Sequence, residues 1–232
     1  MKKEITKTEK TKKSKKKKLS KLDKQFYKLL IAMAAAIVVF FISYYFFQSL
    51  RTFEYQGLTF TKDKFGEIPI YRYYYYFSTT GSAVKEDNPQ RFDIILRVDP
   101  RENNVTFEGD EIIFPSRGKF IYLSVNNTGL QCTYSNVALF NIAQFLTGNG
   151  YTVKPATPDK NESENTQNLR YATCETHPDN MVLLIREGAE TKIVKQNNCY
   201  TISVANCEIL PAVEKFMVQS IIDGKNRYEI SN

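Results

Sequence analysis

The feature that most constrains this chain is an apolar segment at positions 29–50, LLIAMAAAIVVFFISYYFFQSL, which contains no charged residue in 22 positions. A helix of this length rises about 33 Å at 1.5 Å per residue, which matches the hydrocarbon thickness of a bilayer. The segment therefore predicts a single transmembrane helix, with the lipid bilayer as its first partner.

A cleavable signal peptide is the competing interpretation of this segment. Its apolar part would be about 7 to 15 residues long and would end in small residues suited to a peptidase. The segment ends instead in the aromatic run FFISYYFF at positions 40–47, which suits a membrane interface. We therefore predict an uncleaved signal anchor.

Lysines crowd the chain just before the apolar segment. Residues 1–28 contain 13 Lys and 3 acidic residues, so they carry +10, whereas the whole chain carries +7. Such a block of like charge predicts a disordered tail. Positive charge flanking a first span predicts that the tail is cytoplasmic, resting on anionic lipid headgroups, and that residues 51–232 lie outside the cell membrane.

Nucleic-acid binding is another function that a lysine-rich tail suggests. The tail contains no Arg and no nucleic-acid-binding motif, so no nucleic-acid partner is expected. Recruitment of a cytoplasmic partner or a ribosome by these lysines remains an alternative.

All four cysteines lie in the part of the chain predicted to be outside: Cys132, Cys174, Cys199 and Cys207. Disulfides persist in such a compartment, so an even set predicts two bridges. The spacing does not resemble the close pairs of a thiolate metal site, and no metal or cofactor is predicted. The favoured pairing is Cys132–Cys207, which both precede predicted helices, with Cys174–Cys199, which both precede predicted strands. The alternative is Cys132–Cys174 with Cys199–Cys207.

Three Asn-x-Ser/Thr triplets occur, all within the same part of the chain, at Asn104, Asn126 and Asn161. They are candidate glycosylation sites and are consistent with export, although such triplets also arise by chance.

Hydropathy patterns after residue 50 indicate mainly strands up to residue 125 and a mixture of helices and strands after it. Strands are predicted at 53–60, 68–77, 91–98, 119–125, 151–156, 181–187, 191–196 and 199–205, with an apolar run at 112–114. Two amphipathic helices are predicted, one over 135–150 with Ser135 or Asn136 as its cap, and one from 207 that ends before Gly224. Segments 81–90 and 157–168 are predicted to be loops.

This order predicts an α+β fold, in which the transmembrane helix is followed by a strand-rich region and a mixed β-sheet covered by two helices. The predicted organisation is a tail at 1–28, a span at 29–50 and an outer domain at 51–232, which could divide into lobes 51–115 and 116–232. The residues predicted to be buried in the sheet are Leu123, Val125, Val153, Leu183, Ile185, Ile193, Ile202 and Val204.

A run of tyrosines at 71–76 offers a candidate ligand face made of Tyr71, Tyr73 and Tyr75. Alternate residues of a strand share one face, and exposed phenol rings can stack on sugars or bases. Strand propensity explains the run equally well, so the functional interpretation requires that the three rings share an exposed face.

Function is the least constrained property. Carboxylates are available for acid/base catalysis at Asp99, Asp110, Glu111, Glu175 and Glu208, but they belong to no recognisable catalytic motif. The single histidine, His177, precedes a proline in a turn-like stretch. An enzyme using carboxylates therefore remains the alternative, and a non-catalytic binding or envelope-assembly module is predicted.

The stretches YQGLTFTKDKFGEIPIY, LRVDPRENN and NNCYTISVANCEILPAVEKFMVQSI resemble a group of uncharacterised single-span proteins predicted in small-genome archaea. The resemblance covers most of the outer domain and includes the arrangement of four cysteines. It implies an anchored, exported domain without an assigned activity, and it transfers no catalytic residue. Independently of the resemblance, the predicted binding module has an envelope protein, a glycan or a peptide as its expected partner.

Overall fold

The computed structural model describes residues 21–77, 90–116, 119–126, 130–167 and 169–231. The chain forms two compact units, Met1–Leu50 and Arg51–Asn232. Two of the predicted segments, the tail at 1–20 and most of the loop at 81–90, lie outside the described residues.

Helix α1, Lys21–Arg51, is the described part of the N-terminal unit. Its stretch 24–51 is the one helix in the described residues that is long and apolar enough to cross a membrane, and its side chains are exposed throughout. The helix begins at Lys21, so the prediction that residues 21–28 are disordered was wrong. Lys, Leu and Gln are good helix formers, and a helix can continue past its apolar stretch wherever its side chains reach water.

An antiparallel sheet of four strands in sequence order follows: β1 Thr52–Tyr55, β2 Leu58–Phe65, β3 Ile68–Phe77 and β4 Gln90–Leu96. The single strand predicted at 53–60 is in fact two strands. Gln56 (φ 47°) and Gly57 (φ 75°) both adopt positive φ, which is the type I′ geometry that joins twisted antiparallel strands in two residues.

A second sheet contains seven strands in the order β5-β10-β11-β9-β6-β7-β8. Their bounds are β5 Thr106–Glu108, β6 Phe120–Val125, β7 Thr152–Thr157, β8 Arg170–Tyr171, β9 Met181–Glu187, β10 Lys192–Gln196 and β11 Cys199–Val204. Strands β11, β9, β6, β7 and β8 are mutually parallel, whereas β10 is antiparallel to β11 and β5 is parallel to β10.

Spatial order departs from sequence order in this sheet, because β11 lies between β9 and β10. Sequence order does not specify spatial order when strands can pair either way. Strand β5 was missed, and the apolar run at 112–114 is not a strand.

Helix α2 is Ser135–Gly148 and helix α4 is Ile209–Ser231. The predicted amphipathic character of α2 is confirmed, because Ala138, Ile142, Phe145 and Leu146, which lie on one face at helical spacing, are all buried. The predicted caps were wrong: the N-cap is Tyr134, without a side-chain hydrogen bond, and the Ser135 hydroxyl donates to the Leu130 carbonyl instead.

Helix α4 also continues seven residues beyond the half-buried Gly224, so this glycine does not end the helix as predicted. A glycine inside a helix costs only about 1 kcal/mol relative to alanine, which packing of the helix can offset. The loop predicted at 157–168 contains the short helix α3, Lys160–Asn165. The Asp159 carboxylate caps it by accepting from the N–H groups of Asn161 and Glu162.

The two sheets share one apolar core, in which Leu58, Phe60 and Ile94 of the first sheet belong to the same cluster as the inner faces of α2 and α4. Segment 51–115 therefore has no separate core in the described residues. Seven of the eight sheet positions predicted to be buried are buried, and Val153 is half-buried. The α+β class, with a mixed sheet and covering helices, is confirmed.

Buried carboxylates tie α4 to the segments around it. Glu214, 1% exposed, accepts from the N–H groups of Arg97 (2.8 Å) and Val98 (2.9 Å), where β4 ends. Asp223 accepts from the Ile112 N–H at 2.8 Å, in the irregular segment between β5 and β6. These bonds satisfy backbone donors that no strand partner reaches.

Candidate functional site

An aromatic cavity of about 470 Å³ opens between β3 of the first sheet, the C-terminal end of α2 and the last third of α4. Small-molecule sites are usually concave spaces of about 300 to 1,000 Å³ with mostly apolar walls and a few polar groups. The described residues that line it are Tyr73, Tyr75, Tyr76, Phe114, Phe145, Asn149, Gly150, Tyr151, Ser220, Ile221, Gly224, Lys225 and Arg227.

Ring pairs build the walls of the aromatic cavity. The rings of Tyr73 and Tyr75 are stacked, with an angle of 25° between their planes and 6.0 Å between their centroids. They lie side by side because residues i and i+2 of β3 share one face. Phe114 stacks on Tyr151, which precedes β7, with centroids 4.9 Å apart. Flat aromatic surfaces of this kind can pack against the apolar faces of a planar or ring-shaped ligand.

Polar groups are placed among these rings. The Tyr75 hydroxyl donates to Asn149 Oδ1 at 2.7 Å, and the Asn149 amide nitrogen donates to the Phe145 carbonyl at 2.7 Å. The Asn149 side chain is therefore held in one orientation at the end of α2. A fixed phenol and a fixed amide supply hydrogen-bond directionality inside an otherwise apolar space.

Burial raises the pKa of two phenols of the cavity. Desolvation raises the pKa of Tyr73 and raises the pKa of Tyr75 further, although the hydrogen bond to Asn149 opposes the rise at Tyr75. Both side chains therefore retain their O–H groups, and act as donors, throughout the physiological pH range.

Positive charge lies at the α4 side of the aromatic cavity. Lys225 Nζ donates to the Gly57 carbonyl at 2.8 Å, and Arg227 Nη1 donates to Glu111 Oε2 at 3.1 Å and to the Ile112 carbonyl at 2.9 Å. No carboxylate is among the described residues that line the cavity. The lining therefore favours a neutral or anionic ligand over a cationic one.

The structure brings two of the three predicted tyrosines to this cavity. Tyr73 and Tyr75 line it, whereas Tyr71 packs edge-on against Phe53, with centroids 5.9 Å apart. The expectation of a shared exposed face is not met, because all three rings point toward the core and are half-buried, so the predicted three-tyrosine ligand face does not form. The cavity is a different site, which combines Tyr73 and Tyr75 with residues of other elements. The residues of β3 that alternate with these three lie on the exposed face of the strand, and among them Tyr74 is 52% exposed.

Several cavity residues could not be identified from the sequence. Phe114 belongs to the apolar run at 112–114, Tyr151 begins a predicted strand and Asn149 lies near the end of a predicted helix, but no sequence pattern indicates that the three meet. Lys225 and Arg227 belong to the part of α4 that was predicted to lie beyond the helix. The extended helix is the feature that delivers both cations.

The cysteines form Cys132–Cys207 and Cys174–Cys199, each with a Cα–Cα distance of 5.4 Å. This is the favoured pairing of the two predicted from the sequence. The first bridge joins the segments that enter α2 and α4, and the second joins the segment before β9 to the start of β11. The described residues contain no free cysteine.

The five candidate catalytic carboxylates do not converge. Asp99 pairs with Arg101 at 2.5 Å, and the hydrogen bond from that guanidinium lowers the pKa of Asp99. Asp110 bonds Lys195 at 2.6 Å, while Glu111 bonds the Arg227 side chain. The other two, Glu175 and Glu208, are exposed on different loops.

The remaining sequence candidates are scattered over the surface. Asn104 and Asn161 are exposed and Asn126 is half-buried, and their glycosylation stays a prediction. The ring of His177 lies 4.3 Å from that of Tyr122, and its Nδ1 is 2.9 Å from the Thr176 hydroxyl. In the part of the chain that the structure describes, no group of three or more His, Cys, Asp or Glu could hold a metal ion.

Comparisons with known proteins identify no relative. No protein-family model matches the chain, and neither a curated protein nor a solved structure is significantly similar to it. Its function has to be argued from its own geometry.

Proposed function

We propose that this protein is a membrane-anchored binding module. Helix α1 crosses the bilayer with the N-terminus in the cytoplasm, and residues 51–232 act outside the cell. The apolar length of α1, the lysines that precede it, and the two disulfides support this arrangement. We also propose that the chain is related to the single-span archaeal proteins that its outer domain resembles.

The proposed ligand site is the aromatic cavity, and the proposed ligand class is a glycan or a fragment of one. The observation that carries this proposal is the set of ring faces, with Tyr73 beside Tyr75 and Phe114 on Tyr151, together with the Tyr75–Asn149 hydrogen bond. Sugar rings present apolar C–H faces to aromatic walls and hydroxyls to phenol and amide groups.

Binding is favoured over the enzyme alternative for a geometric reason. Acid/base chemistry needs titratable groups within hydrogen-bond reach of one reacting site. The candidate carboxylates are separated and most are held by basic partners, and the cavity lining offers phenols, an amide and cations instead.

A cavity-filling substitution tests the proposed site. A Cβ atom at Gly224 would meet no neighbouring residue outside its own turn of the helix within 4 Å, and Gly224 lines the cavity, so Gly224→Leu should extend a side chain into the cavity space. The full-length protein, purified in mild detergent, is applied to an array of surface glycans, and retained saccharides are identified by mass spectrometry. We expect the substitution to abolish retention.

The matched control is Gly224→Ala, which adds one methyl group and raises helix propensity by about 1 kcal/mol. It should retain glycans as the natural chain does, and both variants should unfold at or above the natural temperature. Absence of any glycan retention by the natural chain, or equal retention by Gly224→Leu, would refute the site. The orientation is tested separately, by asking whether maleimide reaches Cys174 in intact cells after reduction.

A further inference from the structure

The two sheets differ in how their edges are protected. Three of the four edge strands are short, with four residues in β1, three in β5 and two in β8, which limits what could pair with them. Strand β4 has seven residues, contains no proline or lysine, and pairs only with β3 among the described residues. A long unprotected edge is a template for another strand.

A groove of about 280 Å³ runs beside that edge. One wall is β4 and the other is the side of α2 that carries Val137, Phe140, Asn141 and Gln144. Phe140 is 65% exposed, and Ile95, on the outer face of β4, is 46% exposed. A strand added to β4 would satisfy its outward backbone groups and cover apolar surface in the same step.

The charges on β4 indicate what kind of strand fits. Arg91 and Asp93 alternate with inward residues, so both side chains lie on the outer face, where they contact each other at 2.7 Å. In an antiparallel pair with a two-fold axis at Phe92, Arg91 of each copy lies opposite Asp93 of the other. This register creates two opposite-charge pairs across the axis.

The other symmetric registers are worse. With the axis at Asp93, the Asp93 carboxylates of the two copies face each other. With the axis at Ile94, Arg91 of each copy faces Arg97 of the other. An axis at Ile95 leaves only a short pairing, because the Arg97 N–H is already bonded to Glu214 and the strand ends at Leu96. The register centred on Phe92 pairs residues 90–94 of each copy, and it is the one in which charged residues of β4 face opposite charges within the strand.

We infer that the β4 edge binds a second copy of this chain, so that two four-stranded sheets join into one eight-stranded sheet across a two-fold axis. The groove beside α2 belongs to the same interface, and Phe140 is covered in it. This inference does not depend on the aromatic cavity or its ligand, because the two sites share only Phe145 among their described lining residues.

A charge-exchange experiment tests the register. Two differently tagged copies of the full-length chain are co-expressed in one membrane, cross-linked there, and then co-purified in mild detergent. In the Arg91→Asp variant, positions 91 and 93 both carry carboxylates. In the Asp93→Arg variant, both positions carry guanidinium groups. Each variant should lose self-association on the order of tenfold, because both cross-strand pairs become repulsive.

Mixing the two variants should restore association. A chain with two carboxylates faces a chain with two guanidinium groups, so both cross-strand pairs become attractive again, although neither chain regains its internal Arg91–Asp93 contact. Restored pairing also shows that both variants fold. The matched control is Arg72→Asp, which removes an exposed cation that contacts Asp63 (3.5 Å) in the middle of the same sheet and should leave association unchanged.

Any of four results would overturn the inference. The natural chain could be monomeric in intact membranes, the single variants could associate as strongly as the natural chain, or the mixture could fail to recover. Capture of a different protein at the β4 edge would also refute a second copy as its occupant.

Discussion

Glu214 makes folding stability fall as the pH rises through neutrality. Its side chain is 1% exposed, and this desolvation raises its pKa from 4.5 to about 7, despite the N–H groups of Arg97 and Val98 and the charge of Arg97, which oppose the rise. The folded state therefore binds a proton more tightly than the unfolded state. Its contribution to stability is fully present below about pH 4.5 and is lost as the pH rises through about 7.

The size of the effect follows from that pKa. At 1.36 kcal/mol per pH unit, a rise from 4.5 to about 7 corresponds to about 3 kcal/mol, of which about 2 to 3 kcal/mol falls between pH 5 and pH 8. Asp99 acts in the opposite direction, since its pKa is lowered, but its contribution is lost only as the pH falls below about 3.8. It does not interfere in this window.

The assay is guanidinium unfolding of the full-length chain in detergent at pH 5, 6, 7 and 8, followed by near-ultraviolet circular dichroism of the tyrosines. The natural chain should lose about 2 to 3 kcal/mol across this range. In Glu214→Gln the amide nitrogen faces a backbone N–H, which should cost about 1 to 3 kcal/mol at pH 5. The variant should lack the Glu214 share of the pH slope, so the two curves converge toward pH 8.

The control is Glu208→Gln, which changes an exposed carboxylate just before α4 and should give a curve parallel to that of the natural chain. If the gap between the natural chain and Glu214→Gln instead stays constant from pH 5 to pH 8, the buried carboxylate is ionised throughout that range. In that case the two N–H bonds outweigh desolvation, and the reasoning is wrong.

Three further changes test the packing. Gly148→Ala would drive a methyl group into the Phe92 ring, so thermal unfolding should show a loss of stability of about 1 to 3 kcal/mol. Adding Phe92→Leu should recover part of that loss. An unchanged melting temperature would contradict the close approach of Gly148 and Phe92. Gly57→Ala should cost about 1 kcal/mol in the same assay, because position 57 has φ 75°, whereas Gly224→Ala in α4 should cost nothing. Replacing Cys132 and Cys207 by serine should cost about 4 kcal/mol in denaturant unfolding, since that bridge closes a loop with a sequence separation of 75, and a cost below 1 kcal/mol would argue against it.

Local patterns predicted much of the fold. The buried stripe of α2, from Ala138 to Leu146, follows from a 3.6-residue period, and the buried strand positions such as Ile185 and Ile202 follow from runs of β-branched and apolar residues. The turn at Gln56 and Gly57 shows where local signals failed. Two residues of positive φ divide what hydropathy alone presents as one strand.

The candidate site was predictable only in part. Tyr73 and Tyr75 could be paired, because a strand places residues i and i+2 on one face. Their direction toward the core depends on which side of the first sheet meets α4. Lys225 was out of reach for a different reason, since Gly224 is a common signal of a helix end and the helix continues through it.

The amino-acid sequence by itself determined the apolar helix near the N-terminus, the confinement of all four cysteines to the part of the chain after it, and the α+β class, because each depends on composition or on a period of a few residues. Tertiary structure alone decided that β11 inserts between β9 and β10, that β4 is left as a long edge, and that Tyr75, Tyr151 and Lys225 meet around one cavity. Those outcomes depend on which distant surfaces bury the most apolar area together, and no short window of sequence contains that information.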